Sequence, residues 1–192
     1  TIAARLEQAG SGNRLVKSGD GEVILTNRTS TIGSAGFYVF RGMVTFDNIA
    51  NVNAASSLGQ GQITLGDATL RYIGGGDTSY NRAITLRGAG TLDASGSGPL
   101  RFGTNVFMSK LGGTFPLTLT GTGTGIIDGR IGIGPGRLTK SGPGTWILNG
   151  TDVTYYGDTV IKEGTLEVNG ALIGTDIILA GGKLTGNGSL AG

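Results

Sequence analysis

Short alternating segments, cut by glycine or another turn residue about every 8 to 12 residues, constrain this chain more than any other feature. VIL at 23–25, MVTF at 43–46, ITL at 63–65 and again at 84–86, LTL at 117–119, WIL at 146–148 and TLEV at 165–168 are examples. Side chains at i and i+2 share a face in such segments, which is the pattern of a strand rather than a helix. No helical period competes with it. TIAARLEQA at 1–9 has helical propensity, yet it aligns with IIDGRIGIG at 126–134 and reads as strand.

The chain also repeats on a larger scale. NRLVKSGDGEVILTN at 13–27 returns as GRLTKSGPGTWILNG at 136–150. VFRGMVTFDN at 39–48 faces IKEGTLEVNG at 161–170, and ITLGDATL at 63–70 faces IILAGGKL at 177–184. The expected organisation is one continuous segment over 1–192, with a repeat block at 2–70, a divergent middle at 71–126 and a second block at 127–192.

Repetition favours a propeller or a solenoid, and strand length decides between them. These strands are too short for stable hairpins. Stacked as parallel rungs, each bonds to its counterpart one coil above and one below, so the ladder persists however short each strand is. Glycine, 39 of 192 residues, supplies the tight corners. The fold expected is all-β, a parallel β-helix of about eight or nine coils and ~40 Å in length at ~4.8 Å per strand spacing.

Composition then removes function classes. The chain has no Cys and no His, which excludes thiolate and imidazole metal sites and any imidazole-dependent triad. Fifteen basic and thirteen acidic residues give a net charge of +2, scattered singly, so no basic stripe for nucleic acid exists. No cofactor is expected. The start at TIAARL shows no basic, apolar leader, so any targeting signal would lie upstream or have been removed.

Several residues invite an enzymatic or binding reading. Lys17 and Lys140 occupy matching places in the repeat, but Val16 and Thr139 precede them where a phosphate loop needs glycine, and a strand follows. They read as repeated corners. Asp77 and Asp128 lack the nine-residue recurrence of a calcium-binding roll. Asp67, Asp77, Asp93 and Asp128 fall on separate turns, whereas glycoside chemistry needs a close carboxylate pair. Thr64, Thr85 and Thr118 are expected to point outward at equivalent places, and only Thr118 and Thr120 form a doubled pattern. Trp146 is assigned to the core. Alternation turns Ile24, Tyr38, Phe40 and Ile147 outward, and these four are the candidate partner-binding surface. No catalytic or metal-binding residue is assigned.

One stretch carries a family signature. Leu138, Lys140, Gly142, Gly144, Trp146, Leu148 and Gly150, then Thr154, Tyr155, Gly157 and Thr159, then Gly164, Thr165, Leu166 and Val168 resemble the passenger-associated repeat of bacterial autotransporters. Trp146 stands where that family usually has an aliphatic residue. The block at 13–47 keeps the Lys-Ser-Gly phrase and lacks the Tyr-containing one. The resemblance implies a right-handed β-helix and a stalk that contributes to adhesion or host interaction. It also implies secretion or display at the cell surface, with export through the periplasm by a C-terminal outer-membrane barrel of the same polypeptide. A host protein or glycan would be the ligand. The rival reading is a carbohydrate-active β-helix enzyme or a carbohydrate-binding module.

Overall fold

The computed structural model describes residues 12–76, 79–151 and 153–191, which form 21 strands and no helix. The strand expected at 1–9 and the carboxylate of Asp77 lie outside the described residues. Every strand pair is parallel. The strands stack on three faces of a β-solenoid of about eight coils.

The first face carries β1 (Leu15–Lys17), the front of β3 (Phe37–Phe46), the front of β4 (Ile63–Tyr72), β6 (Ile84–Leu86), β9 (Phe107–Lys110), β12 (Arg130–Gly134) and β15 (Val153–Tyr155). The second carries β2 (Glu22–Leu25), the rear halves of β3 and β4, β7 (Gly90–Ala94), β10 (Leu117–Thr120), β13 (Leu138–Lys140), β16 (Thr159–Ile161) and β19 (Ile177–Leu179). The third carries β5 (Ser79–Tyr80), β8 (Leu100–Phe102), β11 (Thr124–Ile127), β14 (Thr145–Leu148), β17 (Thr165–Val168) and β20 (Lys183–Thr185). β18 (Ala171–Ile173) and β21 (Ser189–Ala191) pair with each other where the first face comes round again. Because β3 and β4 run through two faces without a break, those faces join into one 13-stranded sheet.

Alternation puts one set of side chains inside. Ile63 and Ile84, Leu70 and Leu92, and Leu166 and Leu184 are stacked in register toward the axis. Most of these are fully buried, so the core is a set of aliphatic columns closed coil by coil. A strand pair this short would be marginal alone. Stacking gives each interior strand backbone partners above and below, and the inner columns remove the apolar side chains from water.

The divergent middle keeps the regular order, since β5 to β11 visit the third, first and second faces in turn. The long strand-free stretch lies instead at 47–62. It packs inward through Ile49 and Leu58, and Ser57 Oγ donates to Asp47 Oδ1 at 2.6 Å.

The two repeated phrases do not occupy the same faces. β1 and β2 lie on faces one and two, whereas their counterparts β13 and β14 lie on faces two and three. The second copy is therefore advanced by one face around the axis. The outward threonines are also redistributed. Thr64 and Thr85 stack on face one, where Thr85 reaches Ser109 (Oγ1 to Oγ, 3.3 Å). Thr118 belongs to a different ladder, on face two, with Thr69, Thr91 and Thr139. The expectation that Thr118 stands in equivalent position to Thr64 and Thr85 is thus corrected, because the ITL and LTL segments sit on different faces.

Candidate functional site

The repeated lysines are built into corners. Lys140 is the last residue of β13 and takes the inward position held by Leu119 in the coil before and Ile161 in the coil after. It is fully buried. Its stem fills the aliphatic column, and Nζ donates to Ser141 O at 2.8 Å, Gly142 O at 2.7 Å and Glu163 O at 3.0 Å. Burial pushes its pKa below the usual lysine value, and the charge of Glu163 opposes that. Lys17 repeats the arrangement on Ser18 O, Gly19 O and Arg41 O. Lys110 makes a third, incomplete copy on Gly112 O and Gly113 O.

Glycine in the following coil completes each full cradle. Gly42 and Gly164 have φ of +75° and +64°, in the left-handed region. A Cβ on Gly164 would lie 2.4 Å from Gly142 O and Gly144 O and 2.8 Å from Lys140 Nζ. Lys140, Gly142 and Gly164, distant in the repeat's spelling, are therefore one structural unit. The ammonium is fully engaged, and this geometry leaves no open cradle for a phosphate.

The Tyr-containing phrase has its own logic. Tyr155 is buried, and its hydroxyl meets Thr159 Oγ1 at 2.7 Å, which in turn meets Thr175 Oγ1 at 3.0 Å. Thr175 Oγ1 donates to Gly157 O at 2.7 Å. Burial raises the Tyr155 pKa to about 12, against the lowering effect of the two threonine hydroxyls. A phenol with a raised pKa favours folding fully below its ordinary value near 10, and that contribution is lost as pH climbs through 12. Tyr155→Phe should therefore cost about 1 kcal/mol at neutral pH. It should also remove a phenol that titrates at about pH 12 from a phenolate absorbance titration. A titration curve unchanged by the substitution would contradict the burial argument.

The carboxylates are separated and engaged. Asp67 Oδ1 accepts from Ala89 N at 2.8 Å, and Asp93 pairs with Arg71 at 2.8 Å. Asp128 pairs with Arg101 at 3.1 Å and accepts from Asn149 Nδ2 at 2.7 Å. Asn169 Nδ2 continues that stack onto Asn149 Oδ1 at 3.2 Å. Among the described residues no group of three or more metal-ligating side chains converges.

The four outward candidates are spread over the three faces. Tyr38 and Phe40 come together on face one, with ring centroids 5.9 Å apart and the Arg14 guanidinium 5.3 Å over Tyr38. Phe40 is exposed and Tyr38 half-buried. Ile24 stands on face two beside Thr45, and Ile147 on face three between Ile126 and Glu167.

Reading single strands could not disclose a groove on the corner between faces one and two. Pro116, Arg137 and Asp158 each immediately precede a face-two strand and are stacked in three successive coils, because Leu117 N donates to Arg137 O and Leu138 N to Asp158 O, both at 2.9 Å. Gly136 and Gly157, one residue earlier, put no side chain into the space. The resulting groove of about 440 Å³ is lined by Thr114, Pro116, Pro135, Arg137, Gly157 and Asp158. Arg137 Nη2 and Asp158 Oδ2 are 2.8 Å apart across its rim.

The passenger-associated-transport-repeat family model matches residues 138–168, the span that holds the Lys140 cradle and Tyr155 with Thr159. The chain is similar to an adhesin autotransporter, BmaC, of Brucella suis biovar 1 (strain 1330), with 35% identity over 164 residues. That alignment covers 76% of this chain and 5% of the adhesin. It is also similar to an extracellular serine protease of Serratia marcescens, with 42% identity over 57 residues, 30% of this chain and 5% of the protease. The chain thus spans about one twentieth of the length of the curated relatives it matches. No solved structure matches it.

Proposed function

This chain is a β-helical segment of an autotransporter passenger, secreted or displayed at the cell surface, and we propose that it works as a non-enzymatic stalk that carries adhesive regions away from the membrane. One observation carries this reading: the parallel ladder passes from coil to coil across all three faces, with an aliphatic column behind each. Such a rod transmits length rather than chemistry. The separated, individually engaged carboxylates and the likeness to an adhesin support the same reading. Export would depend on a translocator barrel of the same polypeptide, and the ligand of the whole protein would be a host protein or glycan.

The test uses the full-length protein on cells. Deleting residues 12–191 should bring the distal part of the passenger closer to the membrane by about 40 Å, at ~4.8 Å per coil. Replacing the deleted residues with an unrelated β-solenoid of equal coil number should restore both reach and attachment. Undiminished reach after deletion would overturn the stalk.

A further inference from the structure

The corner groove has features that a bare stalk does not require. Tyr156 is 69% exposed, although it follows the buried Tyr155 directly. Its amide donates to Gly134 O at 2.9 Å, and the register of Gly134 with Tyr155 sets Tyr156 beside Pro135 in the neighbouring coil. Pro135 and Pro116 line a trough whose rim is hydroxyl, guanidinium and carboxylate, and the exposed Tyr156 sits one residue before the lining residue Gly157, in backbone register with Pro135. Apolar surface with a few convergent polar groups, in a volume of this order, is the general form of a small-ligand site.

We propose that this groove binds a neutral oligosaccharide, with pyranose C–H faces against Tyr156 and Pro135 and hydroxyls held by Thr114, Arg137 and Asp158. Charge selects against anionic and cationic ligands. The Arg137–Asp158 pair leaves the rim without net charge, so an acidic sugar meets Asp158 and an amine meets Arg137. Backbone chemistry selects against an extended peptide. Pro116 and Pro135 have no N–H, and the amides of Leu117 and Leu138 and the carbonyls of Pro116, Arg137 and Asp158 are already used inside the ladder. These groups leave no open donor or acceptor of their own for strand addition. A sugar needs none, because its hydroxyls bond to side chains while its C–H faces cover apolar carbon.

This goes beyond the stalk, which would hold its length with the groove empty. The test titrates the whole 192-residue chain with lactose, cellobiose and N,N′-diacetylchitobiose at millimolar concentration, following amide shifts by NMR. A sulfated chondroitin disaccharide and a proline-rich peptide are run alongside. At least one neutral disaccharide should shift the amides of Gly136 and Gly157. Tyr156→Ala and Asp158→Asn should each weaken that binding at least tenfold without moving the urea midpoint, while Val16→Ser, an exposed position on face one, should leave it unchanged. The proposal is overturned if none of the three neutral sugars shifts these amides, if Tyr156→Ala binds as well as the parent, or if the sulfated sugar or the peptide binds more tightly.

Discussion

Replacing Lys140 with methionine should destabilise the rod by about 3 kcal/mol, several times the effect of the same change at Lys17. Methionine keeps a flexible stem of similar volume in the aliphatic column, so packing changes little. What disappears is the ammonium that joins Ser141 O, Gly142 O and Glu163 O. Replacing every member of a buried polar group by apolar atoms can be neutral, but here the three carbonyls belong to the backbone and remain. Gly164 crowds the same point, so the corner has little room to open to water. Lys17 makes the equivalent contacts in a more open corner, where water can take over from its ammonium, and Lys17→Met should cost about 1 kcal/mol. Urea midpoints of the two variants, compared at equal slope, decide the matter. Equal midpoints for Lys140→Met and the parent would mean that the charge is merely tolerated there.

The repeated phrase was readable as a corner because its lysine lacks the glycine and helix of a phosphate loop. Its purpose was not readable, because the third carbonyl and the crowding glycine come from the next coil, more than twenty residues away. The same distance in sequence hides the one-face advance between the copies. Which face a phrase occupies depends on how many residues the intervening coils spend in corners, and alternation within a strand carries no record of that. Leu117, Leu138 and Thr159 stack at intervals of 21 residues and Ile177 follows after 18, so coils from 117 onward stay close to one length. In the first block, the irregular stretch at 47–62 absorbs extra residues.

That stretch also buries Arg82. Its Nη1 donates to Ser56 Oγ at 3.3 Å and Nη2 to Leu58 O at 3.5 Å, while Nε has no partner. Burial lowers its pKa to about 10. Nothing in NRAITL at 81–86 marks this arginine as internal, because its cover lies a coil away. The groove escaped for a related reason: Pro116, Arg137 and Asp158 become neighbours only through the ladder.

Trp146 offers the sharpest test of how columns are filled. It stands in an inward column of Leu100, Gly125, Trp146, Leu166 and Leu184, with the glycine directly beneath the indole. The ring is buried, and Nε1 donates to Thr120 O at 2.8 Å. A Cβ on Gly125 would lie 2.4 to 2.5 Å from three ring carbons. Gly125→Ala should therefore cost about 2 kcal/mol through overpacking. Trp146→Leu should cost about 3 kcal/mol by opening a void and leaving the Thr120 carbonyl unpaired. In the double variant the alanine methyl enters space that the indole has vacated. Its loss should fall short of the summed single losses by about 1.5 kcal/mol or more, a coupling that a double-mutant cycle reads directly. Additive losses would show that Gly125 is needed for its backbone and not for the ring above it, and the tryptophan would then be filling a space that exists without it.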